Sequence, residues 1–437
     1  MSSSGASRIS GSIIVVALLV AIAIGTFALA VAPARASGAA PVALPVGVSI
    51  HYTIPIGKGV DGGAYDTRNH DVYGSNQKSN NVTVVDSVTH SHSSIPVGKS
   101  PYSIVFDPNN GKLYVPNYNS SNVSIIYGGT NKVIANPSLG KGAHPVAVYV
   151  IPANGNVVVL NTSSYPSPSV AWIVNGSTNT VKKVGLGKGF QSMAVYDPNS
   201  KELYIPNQYA DTLSAITTSG TVKTITLPRE PNALFADPAN HDLLVTLSPS
   251  SYRSPGSFVA INSADSIVKT VTVKAVSTIG SVFSAYDPYN HDVYFAAFNF
   301  STNRSYAVIV APNNSLAGTP ALTKGVEAIV CFYDPANGDV FFDGAARDVV
   351  VVNQTSVVKT LNTTQPIILF TYDPVLKDMI GAGDTNLTTT SNLYIVTSAN
   401  SVSSFKVGKD AIAFLYDPTD TYVYVANVGS DTVDLVG

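Results

Sequence analysis

One pattern recurs along the chain. Residues 410–436, DAIAFLYDPTDTYVYVANVGSDTVDLV, hold an apolar strand, a DPTDT turn, a second apolar strand, a GSDT turn and a third strand. The unit returns about nine times, at a spacing of roughly 40–50 residues, which is the period of a propeller or a similar array. The length of 437 residues would otherwise suggest several domains, but one ring of stacked units absorbs it.

The first strand of each unit ends in an aromatic-Asp-Pro sequence or a close variant. The acidic positions are Asp66, Asp107, Asp197, Asp237, Asp287, Asp334, Asp373 and Asp417; the third unit has Ile151-Pro152 instead. Turns such as Asn109-Asn110-Gly111 follow, and Asn-Gly supplies the positive φ of a tight hairpin. Second strands such as LYVPN (113–117) and VYVAN (423–427) are nearly continuous apolar runs, which indicates burial on both faces. No amphipathic helical period appears after residue 36. These features predict an all-β chain forming a single β-propeller of four-stranded blades. Nine blades are expected, or eight if the divergent third or the long sixth unit is an insertion. The last unit stops after its third strand, and an orphan strand, VGVSIHYTIPIG (46–57), precedes the first. That N-terminal strand is expected to complete the last blade and close the ring.

Residues 1–36 stand apart. An apolar run, Ile13 to Ala32, follows Arg8 and ends near the A-x-A sequence Ala34-Arg35-Ala36. It reads as a hydrophobic helix, either a cleaved signal peptide or an uncleaved membrane anchor through residues 13–32. Both place the remainder outside the cytoplasm, secreted or attached to the outer face of the membrane. Residues 37–45 form a linker and 46–437 the propeller. Asn-x-Ser/Thr triplets, among them Asn81, Asn161 and Asn303, would be glycosylation acceptors in that setting.

The segments LYVPNYNSSNVSII (113–126), LYIPNQYADTLSAI (203–216) and VYVANVGSDTVDLV (423–436), with the preceding VGK-x-P (97–101), closely resemble the YVTN-type β-propeller repeat. The resemblance covers roughly residues 46–437. Such repeats occur in bacterial exported proteins of the YncE type and in archaeal surface-layer proteins. It implies a propeller outside the cytoplasm and does not imply one activity.

A cation precedes the first strand in most units: Lys58, Lys99, Lys141, Lys188, Arg229, Lys324 and Lys409. Four of them fall eight positions before the Asp, a distance of about 26 Å in extended chain. A cationic rim at one channel mouth and a ring of Asp at the other are expected. The rim is a candidate for binding an anion, such as an acidic glycan or a nucleic-acid strand, with Tyr102 and Phe190 nearby to stack. The alternative is that each cation is a solvated turn residue inherited with the repeat. Each Asp reads as the cap of its own turn, with a shared cation site as the alternative.

His70, His241 and His291 sit in equivalent Asn-His-Asp turns, where convergence on a metal is not expected, and His90 and His92 read as surface loop. Only 12% of residues are charged and the net charge is −2, so no global field selects nucleic acid or membrane. Cys331 is the only cysteine, which excludes an internal disulfide and a Cys-based metal centre. No haem, zinc-protease, nucleophile-elbow or phosphate-loop motif is present, and no cofactor, metal or catalytic residue is assigned. The favoured function is a binding or cell-surface scaffold module with an unidentified ligand or protein partner. The competing class is an extracellular propeller enzyme (lactonase, lyase or hydrolase type) acting on a small ester, lactone or sugar. An accessory to a redox system is a third reading.

Overall fold

The computed structural model describes residues 48–161, 168–189, 193–251, 253–280, 284–324, 328–344, 347–367, 369–382 and 390–437. The expected N-terminal helix, the linker and Phe190 lie outside the described residues.

Nine antiparallel sheets follow one another along the chain. Blades 1 to 8 span residues 60–96, 105–135, 145–188, 195–226, 231–273, 278–324, 328–362 and 369–409. Blade 9 holds residues 411–436 and takes its fourth strand from Ile50–Pro55, at the other end of the chain. That strand pairs antiparallel with Thr432–Val436, with Ile54 opposite Val433. The third and sixth units are blades, so the count is nine. Blade 6 is irregular: its first strand is split into Thr278–Ile279 and Ala285–Tyr286, and its fourth into Leu316–Gly318 and Ala321–Lys324.

The order within a blade is explained by burial. First strands of successive blades touch one another around the ring, as between blades 1 and 2, 8 and 9, and 9 and 1. Second and third strands are covered on both faces, so Leu113, Tyr114 and Val115 are all inaccessible. Fourth strands face outward and alternate: in Val402–Lys409 only Val407 is buried. Each hydrophobic cluster lies between two blades rather than inside one. Ala64, Tyr73 and Val84 of blade 1 pack with Ile104, Leu113 and Val115 of blade 2, for example. A single blade therefore has no core of its own, which is why the array must close or be capped.

Candidate functional site

Consecutive antiparallel strands put the turns after the first and third strands on one side of the ring. The loops after the second and fourth strands lie on the other.

On the turn side, all eight repeat Asp residues accept an N–H from their own turn. Oδ1 of Asp66, Asp107, Asp197, Asp237, Asp287, Asp334, Asp373 and Asp417 receives the amide two residues on, at 2.7–3.0 Å. Oδ2 of Asp66, Asp107, Asp237, Asp334, Asp373 and Asp417 is buried without a hydrogen-bond partner among the described residues. Burial raises these carboxyls above their ordinary range, and Asp334 reaches about 7. Among the described residues no three His, Cys, Asp or Glu side chains are grouped to hold a metal ion.

A second polar device joins neighbouring blades on this side. The left-handed residue in the last turn of one blade reaches the second strand of the blade before it. Asn131 Nδ2 donates to Asp71 (2.8 Å), Asn314 Nδ2 to Asp242 (2.6 Å) and Asn400 Nδ2 to Asp339 (2.7 Å). Between blades 4 and 5 Asp265 plays this part, bound by Lys223 at 2.7 Å. Between blades 9 and 1 it is His90, whose Nε2 lies 3.3 Å from Asp420. His90 is therefore part of the ring closure rather than loop surface. His70 and His291 bond the tyrosines of their own turns, Tyr65 and Tyr286, and His241 bonds Asn199.

On the loop side, the Gly-Lys pairs have a backbone role. A Cβ on Gly57, Gly98, Gly187 or Gly408 would fall 2.4–2.6 Å from a side-chain atom near Asn76, Asn117, Asn207 or Asn427, the residues that end the second strands. Each of those Asn side chains bonds the third strand, as Asn117 Nδ2 does to Ser124 Oγ at 3.0 Å. The next residue is fixed too: the carbonyls of Lys58, Lys99, Lys188 and Lys409 accept amides of Lys78, Asn119, Tyr209 and Gly429 at 3.0–3.1 Å. The side chains of Lys58, Lys99, Lys141, Lys188, Lys324 and Lys409 are exposed, and none is in an ion pair among the described residues. Lys141 lies in a longer loop between two positive-φ glycines, Lys188, Lys324 and Lys409 end the outer strands of blades 3, 6 and 8 and so stand away from the channel-lining strands, and Arg229 is half-buried.

One part of this face departs from the repeat. Tyr102, Tyr118 and His144 lie in a row where blades 1 to 3 meet, with Asp61 and Gln77 of blade 1 near Tyr102. The ring centres of Tyr102 and Tyr118 are 5.3 Å apart, and those of Tyr118 and His144 are 4.6 Å apart. Of these only Tyr102 stands out in sequence, because the row forms across blades.

No family model matches the chain, and no curated protein sequence matches it. Solved structures do. The Dos1 propeller superposes with a TM-score of 0.56 at 9% identity, covering 89% of this chain and 95% of that one. Sqt1 of Saccharomyces cerevisiae gives 0.53 at 13% identity, over 83% and 98%. The dihydro-heme d1 dehydrogenase NirN gives 0.51 at 15% identity, over 77% of each chain. The chain is a β-propeller. At these identities the likeness establishes the fold alone, and the fold carries both an enzyme and other proteins among these neighbours.

Proposed function

We propose that this propeller is an extracytoplasmic binding or cell-surface scaffold module of the YVTN type, with the cation-bearing loop side as its ligand-facing side. The observation that carries the reading is the fixed backbone of Lys58, Lys99, Lys188 and Lys409, with their ammonium groups left in solvent. The packing of Gly on Asn accounts for the recurrence of Gly, but nothing in that join requires the following side chain to be cationic. Pre-positioned cations spread over one side of the ring attract an anionic polymer even when net charge is near zero. An acidic glycan suits an exported protein best. Extracytoplasmic placement rests on the apolar run Ile13 to Ala32 and the A-x-A sequence behind it.

The test is binding of the full chain to acidic and neutral glycans, single-stranded DNA and RNA across a salt series. Saturable binding to an acidic glycan that weakens steeply with salt, and falls when Lys58, Lys99 and Lys409 are changed together to Gln, supports the reading. Binding that is indifferent to the triple change removes the rim from it.

A further inference from the structure

Asp61 is a buried carboxylate at the loop end of a channel-lining strand. It is 8% exposed and has no hydrogen-bond partner among the described residues. Burial holds its carboxyl well above the ordinary range. The Tyr102 hydroxyl lies within electrostatic reach of this carboxyl and of the Gln77 side chain. Tyr102 and Tyr118 are half-buried and continue from this carboxyl toward His144, which is exposed. The shelf is held from below: Tyr102 N donates to Pro116 O (3.1 Å), Tyr118 N to Ser100 O (2.9 Å), and Ser75 Oγ to Tyr102 O (2.9 Å).

These residues are not inherited with the repeat. Asp61 and Tyr102 each stand five positions before the turn Asp of their blade. At that position the chain otherwise has mostly apolar residues: Val146, Val282, Ile329, Ile368 and Ile412. An unpartnered buried carboxyl is costly, and nothing in the blade architecture calls for one there.

We propose that blades 1 to 3 build a saccharide site, in which a sugar ring lies on Tyr118 and Tyr102 and its hydroxyls bond Asp61 and Gln77. Sugar rings present C–H faces that suit aromatic shelves and hydroxyls that need both donors and acceptors. Gln77 offers both, and burial biases the Asp61 carboxyl toward its protonated form, which does too. A cationic amine would also suit a carboxylate beside tyrosines, but it would have to approach past Lys58 and Lys99, whose backbones border Lys78 and Asn119. The site uses no lysine, so it stands apart from the rim.

The experiment is calorimetric titration of the full chain, kept in a non-glycosidic detergent, with a panel of neutral hexose and N-acetylhexosamine oligosaccharides. It is run at about 0.5 M sodium chloride, where exposed charges are screened. We expect saturable binding that falls roughly tenfold or more in Tyr118→Ala and Asp61→Ala, the scale of one lost stacking or hydrogen-bonding group. Asp61→Asn, which keeps a donor and an acceptor, and Tyr209→Ala, an exposed tyrosine on blade 4, should bind as the parent does. Emission of the single tryptophan, Trp172, buried in blade 3 with its indole on Leu139 O, reports that each variant is folded. Absence of saturable binding to every member of the panel overturns the proposal, as does binding unchanged in folded Asp61→Ala and Tyr118→Ala. Loss of only the salt-sensitive acidic-glycan binding in the lysine variants bears on the rim and leaves the shelf standing.

Discussion

A buried Asp with one oxygen on its turn and the other unpartnered is a group whose proton matters. Asp334 is fully buried, receives Ala336 N on Oδ1 and leaves Oδ2 without a partner. It holds its proton up to about 7 in the folded chain, against 3.8 for an ordinary Asp. Between those values the folded state binds more protons than the unfolded one, so its contribution to stability is full below the lower value and is lost as pH rises through the upper. Asp66, Asp107, Asp237, Asp373 and Asp417 act in the same direction, and Asp86, lowered by the amide of Thr89, acts against them. Unfolding free energies from denaturant titration should therefore be larger near pH 5 than near pH 8. Asp334→Asn should shrink that difference by on the order of 2 kcal/mol. An unchanged pH profile in the variant would show that Asp334 is ionised throughout. Asn314 poses a different question at the same scale. Its φ of 59° strains any residue with a Cβ, and its side chain links Asp242 and Asn240 of the preceding blade. Asn314→Gly keeps the turn and loses the link, which should cost about 1–2 kcal/mol. Asn314→Ala should cost about 1 kcal/mol more, through left-handed strain. Equal losses in the two variants would mean that the link alone matters.

Elements were legible in the sequence where their signals are local. The Asp-Pro turns, the Gly-Lys joins and the apolar second strands each repeat within a few residues, so nine blades and the closing N-terminal strand follow from spacing. The devices between blades were not legible, because their partners lie far apart in the chain: His90 and Asp420 are separated by 330 residues. Asp61 was silent for the same reason, since the groups beside it come from other strands and the next blade. The seam is where this matters most. Its cluster holds six buried residues, Ile54, Tyr65, Val72, Val85, Tyr424 and Leu435, against eleven between blades 2 and 3. Each side chain withdrawn from water adds about 1.5–3 kcal/mol, so the 9/1 junction is the weaker apolar interface. Polar contacts add to it: Tyr65 OH lies 2.7 Å from Thr419 Oγ1, Gly59 N donates to Asp431 Oδ1 (3.2 Å), and Tyr52 packs on His90 with ring centres 4.2 Å apart, while within blade 9 Thr53 Oγ1 of the closing strand donates to Asp434 at 2.7 Å. Amide exchange should be fastest, among paired strands, in Ile50–Pro55 and its partner Thr432–Val436. Asp420→Ala should accelerate it there by about tenfold and leave blades 4 and 5 unchanged. Uniform acceleration around the ring would mean that the seam does not open by itself.

At the scale of the whole molecule, closure determines how the blades unfold. An open array of blades with cores only between neighbours would behave as a one-dimensional chain, fraying from its ends. Here the two ends of the propeller are hydrogen-bonded to each other: Ser49 N donates to Gly437 O (3.2 Å) and Gly437 N to Ser49 O (3.3 Å). With residues 1–48 removed, a short linker can therefore join Gly437 to Ser49, and new ends can be cut in the connection at Pro228 to Glu230, between blades 4 and 5. No blade loses a strand in this permutant, because the strand Ile50–Pro55 stays paired with Thr432–Val436. The junction that loses its covalent link is instead backed by eleven buried residues, Leu213, Leu234 and Val259 among them. The permutant should fold, keep a single cooperative transition, and move the fastest-exchanging amides from the old seam to the new one. Its midpoint should equal or exceed that of the parent, since the weak junction is now tied and the cut one has the larger apolar interface. A lower midpoint with exchange still fastest at Ile50–Pro55 would mean that local strand propensity, and not the placement of the chain ends, sets the weak point of the ring.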